Sequence, residues 1–211
     1  MEFKKEEIRD LIISIIGLTI LSGIFDFANV IIYFFVYTIS TLFKLIVQKY
    51  SAKKYELEAN YIFNYNFFIV SLGLSLLSFG TVIFPILGFT TPSQKSMKRI
   101  GKSYSEITSD EKGWISLLGI LSSIFLIIIS SICINLNPLF FQKMIDINLL
   151  FLLFSLIPFT KFDVITILCW NRFLWVALLL CSFVFALLIA YHINIFVSIL
   201  LLTIIFIVFF I

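Results

Sequence analysis

The sequence predicts an all-α polytopic membrane protein of about six transmembrane helices, with a re-entrant or β-like segment after the second helix. Three observations predict it. Of the 211 residues, 61% are apolar, Phe alone accounts for 26, and only 13% carry charge, against roughly 25% in an average soluble domain. Several apolar runs approach the ~20 residues that a helix needs to cross a hydrocarbon core about 30 Å thick. The basic residues, finally, sort to one side once the chain is threaded through a bilayer.

The spans are read at residues 11–25, 29–47, 115–134, 147–159, 174–191 and 194–211. The first is expected to stay as an anchor, because acids are mixed into its charged start, MEFKKEEIRD, and no small-residue cleavage site follows. Placing Lys4, Lys5 and Arg9 in the cytoplasm brings Lys44, Lys49, Lys53 and Lys54 to the same side after two spans, and Lys95, Lys98, Arg99, Lys102 and Lys112 want that side too. Residues 61–89, between those clusters, therefore enter and return, with Gly80 and Pro85 as expected bends. Of the 15 basic residues only Lys143 falls outside. Residues 48–60 are expected as a loop ending in a half-buried strand or an interfacial amphipathic segment, since Glu56, Glu58 and Asn60 alternate with Leu57, Ala59 and Tyr61. Residues 90–113 read as a flexible basic loop facing lipid headgroups. The chain is thus one membrane domain, 1–211, in contact with the bilayer.

Several chemistries find no footing. Cys133, Cys169 and Cys181 are scattered and lack metal-ligand spacing. There is no Gly-rich phosphate loop and no nucleophile-elbow Ser. No nucleic acid is expected as a partner, because the basic residues follow the membrane-side pattern. The single histidine, His192, is expected at the outer interface and Asp26 at a solvated outer turn.

Four strings in order carry a resemblance: TLFKLIVQKYS with YELEANYIF after it, SFGTVIFPILGF, EKGWISLLGILSS, and SLIPFTKFD with WN at 170–171. Together they resemble the site-2 protease family of intramembrane zinc metalloproteases, especially its compact prokaryotic branch, over residues 29–175. Family members carry a His-Glu-x-x-His helix with a basic exit such as VAQKYG, and a later carboxylate that completes the zinc site. The resemblance puts that carboxylate at Asp163 and, placed by Lys44 and Gln48-Lys49-Tyr50, puts the His, Glu and His at Ile39, Ser40 and Phe43. The Asn and Pro of the third string fall at Ser123 and Ile120, and the Gly after the acid at Val164.

Residues four apart share a helical face, so two imidazoles at 39 and 43 would converge on one ion, which Ile and Phe cannot hold. The resemblance therefore implies an inactive homologue, a pseudoprotease with zinc lost and no cofactor, in the cell membrane of a prokaryote with its N-terminus cytoplasmic. Its expected partners are single-span membrane clients or an active membrane relative, with Tyr55, Leu57, Ala59, Tyr61, Ser123 and Pro158 as client-binding candidates. A structural subunit of a membrane complex is the alternative, and an active zinc protease a further one. Asp163 is expected either to pair with Lys44 or to reach interfacial water.

Overall fold

The computed structural model describes residues 3–80, 83–94, 107–157 and 163–190. In chain order they form α1 (Lys5–Gly23), a 3-10 turn at Phe27–Asn29, α2 (Val30–Lys54), β1 (Leu57–Phe63), α3 (Tyr65–Leu77), β2 (Gly88–Gln94), α4 (Ser109–Ile132), α5 (Pro138–Ser155), α6 (Asp163–Trp170) and α7 (Arg172–Ala190). The fold is mostly helical with a small two-stranded sheet, and three helices are long and apolar enough to cross a membrane: the stretch Phe27–Lys54, α4 and α5. The remaining spans of the six-span expectation do not reach that standard in α1 and α7, and residues 194–211 and His192 lie outside the described residues.

Local chemistry sets the boundaries. Thr108 and Glu111 cap α4 reciprocally, the Glu111 amide donating to Thr108 Oγ1 at 3.3 Å and the Thr108 amide to Glu111 Oε2 at 3.2 Å. This extends the helix six residues upstream of the expected start at 115. Asn137 caps α5 by accepting from the Phe140 amide, and Pro138 fills the first turn, where no N–H is needed. That signal starts α5 at 138 rather than 147.

The loop expected at 48–60 is mostly helix. Gln48, Lys49, Ser51 and Ala52 are buried, and α2 runs on to Lys54. It ends at Tyr55 and Glu56, the latter at φ +59°, a left-handed conformation usually left to glycine. The chain then enters β1, so the alternation at 55–63 resolves as a strand. Lys49 is no loop cation: its Nζ lies 2.7 Å from Glu7 Oε2, with the two side chains 8% and 2% exposed. Together with the Tyr61 amide, which donates to Glu7 Oε1 at 3.1 Å, the pair binds α1, α2 and β1 at one point.

Residues 61–89 do return to where they started. Phe63 pairs with Gly88 and Leu57 with Gln94 in an antiparallel register, so α3 leaves the sheet and an extended run, 83–87, brings the chain back. The run is buried, and Ser71 Oγ satisfies one of its carbonyls by donating to Phe84 O at 2.7 Å. Gly80 turns the chain at φ +76° against the Phe25 ring, where any Cβ would lie within 3 Å of ring atoms. Pro85 lies inside the extended run and makes no bend. The expected flexible loop 90–113 begins instead as β2, because β1 offers the ladder that its own sequence, TTPSQ, does not specify.

The core runs between α1, α2, α4, α5 and the extended run, with α4 packed against α2, α5 and α6. Packing between helices in lipid draws on close contact and polar bonds rather than on water exclusion. Ser22 Oγ and Tyr37 Oη share a 2.7 Å bond between α1 and α2, and Asn148 Nδ2 donates to Ser40 Oγ at 2.9 Å between α5 and α2.

Candidate functional site

Asp163 opens α6, 115 residues after the side chain that meets it on α2. Lys44 Nζ lies 3.0 Å from Asp163 Oδ2, and Gln48 Nε2 donates to the same oxygen at 3.1 Å. Lys44 and Gln48 stand four residues apart, one turn along one face of α2. The amide is held from behind by Thr90 Oγ1 of β2, which donates to Gln48 Oε1. Gly119 of α4 leaves the room: a Cβ there would come within 2.9 Å of Gln48 Cδ. Gln48 is 1% exposed, and the Lys44 and Asp163 side chains are 19% and 11% exposed. Both bonds fall on Oδ2, no bond to Oδ1 is formed among the described residues, and Asp163 lines a cavity of about 40 Å³. That is room for a few waters. Lys44, Gln48, Thr90 and Asp163 line it together with the apolar Leu45, Ile86, Leu87, Phe89 and Phe151. Loss of hydration lifts the Tyr61 phenol to about 12, so the hydroxyl, 2.8 Å from Ser14 Oγ, stays neutral.

The residues placed at the zinc positions by sequence do not face this carboxylate. Ile39 is 40% exposed, and Phe43 stacks on Phe125 with ring centroids 5.7 Å apart. Ser40 is buried on Asn148. At about 100° per residue, positions 39 and 43 lie roughly 140–180° around the helix from Lys44 and Gln48, except 43 to 44, which still diverge by about 100°. The α2 residues at this carboxylate are Lys44 and Gln48, with Leu45 between them, five residues further along than Ile39, Phe43 and Ser40.

Those residues do not fit zinc. A protonated Lys offers three N–H donors and no lone pair, an amide is a weak ligand, and Leu45 cannot act as a base. Among the described residues no three His, Cys, Asp or Glu side chains come together.

The client-binding candidates are also redistributed. Leu57 and Ala59 are buried against Ala52 and Ile115, with Tyr55 packed at the rim, so their side chains serve the protein's own core. Ser123 is buried in α4, and Pro158 lies outside the described residues. The outer edge of β1 is closed, because the Tyr61 and Phe63 amides donate to Glu7 and Asp10 of α1, each at 3.1 Å. In an antiparallel ladder alternate residues point each way. If 61 and 63 of β1 point outward, their partners Thr90 and Gly88 turn their N–H groups to the far edge of β2, and so does the nitrogen of Pro92. Proline has no donor to give there, which limits that edge to Gly88, which is buried, and half-buried Thr90, both beside the cavity. Gln48 and Thr90 were not singled out by sequence. The usable signal was a lone amide four residues after a lysine on an apolar helix.

No protein-family model, no curated protein and no solved structure matches this chain.

Proposed function

We propose that this chain is a non-catalytic intramembrane protein, a degenerate relative of site-2 proteases, that holds an unwound stretch of a client's transmembrane segment at the edge of β2 beside the cavity. It would sit in a prokaryotic cell membrane with its N-terminus cytoplasmic. The observation that carries the reading is the meeting of Lys44 and Gln48, one turn apart on a spanning helix, with Asp163 beside the Gly88 and Thr90 edge. In the zinc enzymes such a helical pair and a distant carboxylate hold a cation. Here the Lys44 ammonium supplies the positive charge itself, so the cleft keeps its shape and loses its nucleophile. A client backbone would pair with the two outward N–H groups of β2, main-chain bonds giving affinity without side-chain selectivity. The Lys44 ammonium in the cavity lining would donate to a carbonyl that the unwound segment cannot satisfy in lipid.

The test uses the full chain in liposomes with a single-span model peptide whose centre is unwound by Gly-Pro and carries a diazirine. Adducts mapped by mass spectrometry should fall on residues 88–94 and around Lys44. They should drop when an amide-to-ester replacement at Thr90 removes one of the two outward donors and leaves every side chain in place. Adducts concentrated on β1, or unchanged by that replacement in a protein of normal circular dichroism, would refute edge binding.

A further inference from the structure

We propose that the outward face of α5 docks a second transmembrane helix carrying a lysine or arginine near the middle of its span. The inward face of α5 is committed to the core through Met144, Ile145, Ile147, Phe151 and Leu152. Opposite it, Leu139, Gln142, Asp146, Leu150 and Leu153 are exposed or half-buried, and at 100° per residue they fall within a stripe about 80° wide and about 21 Å long. Their spacing of three, four, four and three residues is that of a helix-packing seam.

At its centre lies a carboxylate. Asp146 is eight residues from Pro138 and nine from Ser155, so it sits about 12 Å from either end of the helix, near the middle of the span. Ionisable groups at that depth are costly and almost always turn inward or find a partner. The neighbouring polar groups of α5 do so. Lys143 turns its ammonium to Tyr33 Oη at 2.8 Å and Asp26 at 3.5 Å, and Asn148 donates to Ser40. Asp146 is met by Gln142 Nε2 at 3.3 Å, and among the described residues no cation lies within 4.0 Å of it. An amide and a carboxylate one turn apart on an apolar seam make an acceptor-rich notch whose missing partner is a positive charge.

Charge selects the occupant. A second copy of this chain packed on the same seam would bring two carboxylates to one level, and Lys143, its cation at a comparable depth, is already engaged. A foreign helix with one basic residue neutralises the carboxylate and leaves the leucines for close packing. This docking is independent of the β2 edge.

The experiment places the full chain in liposomes with a Leu/Ala model helix that carries one central Lys and a diazirine one turn away, beside an otherwise identical helix with Leu in place of Lys. Adducts on residues 139–153 should be at least tenfold more abundant with the Lys helix. Asp146→Asn, nearly isosteric and exposed, should lower them by at least tenfold while Asp110→Asn, at an exposed position in the first turn of α4, leaves them unchanged. The proposal is overturned if both helices are captured equally, if capture survives Asp146→Asn, or if adducts fall elsewhere or do not form. It is also overturned if a Leu139→Cys variant, with its three native cysteines replaced by Ser, forms a disulfide dimer and the Lys helix does not compete.

Discussion

Two acid–lysine clusters brace α2 near its two ends, and they are built differently. At one end Asp26 is gripped largely by its own segment: Asn29 Nδ2 at 2.9 Å from both carboxylate oxygens, Tyr33 Oη at 2.9 Å, and Lys143 more distantly at 3.5 Å. At the other end Asp163 is gripped by nothing local that the structure describes, and meets Lys44 and Gln48 across 115 or more residues of chain. The first cluster is a third exposed and uses both carboxylate oxygens; the second is nine-tenths buried at the acid, uses one, and borders a cavity. A cluster closed on itself is a staple, whereas one with spare acceptor capacity beside a cavity has the form of a site.

The sharpest way to test that difference is to ask the buried cluster for a metal. The triple change Lys44→His, Leu45→Glu and Gln48→His puts two imidazoles one turn apart against Asp163, and the variant should hold about one zinc per chain. Adding Asp163→Ala should release most of it. The same three residue types at Ile39, Ser40 and Phe43 should gain none, because that face is turned toward lipid and Phe125. Metal analysis of detergent-purified protein reads all three, and zinc in the second triple but not the first would place the Ile39 and Phe43 face, not Lys44 and Gln48, against Asp163.

How much of this was legible in the sequence depends on how far apart the interacting residues lie. The alternation at 55–63 announced β1, and Gly80 announced the turn that sends residues 61–89 back. The caps Thr108 with Glu111 and Asn137 with Pro138 were missed by the expected starts at 115 and 147, which followed apolarity alone. β2 was not legible, because its strand character comes from pairing with β1 and a segment containing Pro92 argues against it locally. Asp163 stood out as an acid in apolar sequence, and Lys44 as a candidate partner. Gln48 did not stand out as a site residue because its contact with Asp163 spans 115 residues of chain, and the end of α2 at Lys54 was not readable because Glu56 adopts a glycine-like φ that propensity disfavours.

Removing each lysine gives the next comparison. Lys44→Met strips the cation from a carboxylate that is 11% exposed, and breaking such a pair should cost about 3 kcal/mol. Lys143→Met acts on a pair about a third exposed on both sides, screened by water, and should cost under about 1 kcal/mol. Unfolding in mixed detergent and dodecyl sulfate, followed by circular dichroism, should show the first midpoint well below wild type and the second close to it. Equal midpoints would mean that the buried cluster is no more committed than the exposed one.

The smallest effect is one of pH, and it belongs to Asp26 alone. The hydrogen bonds from Asn29 first, then Tyr33 and Lys143, outweigh desolvation and hold its carboxyl below the ordinary value of 3.8. A carboxylate whose folded pKa is depressed binds fewer protons folded than unfolded. Its contribution is therefore complete above the ordinary value and is lost as pH falls through the lower folded value. Stability should thus decline on acidification below about pH 4 more steeply in wild type than in Asp26→Asn, which has no proton to take up there. Because Asn29 is the largest cause, Asn29→Ala should flatten that difference more than Lys143→Met does, although the lysine carries the full charge. Detergent unfolding midpoints at a series of acid pH values, each taken relative to Asp26→Asn, measure it. If Lys143→Met proved the larger of the two, the cluster would be held by the long-range charge rather than by its own turn, and the contrast with Asp163 would disappear.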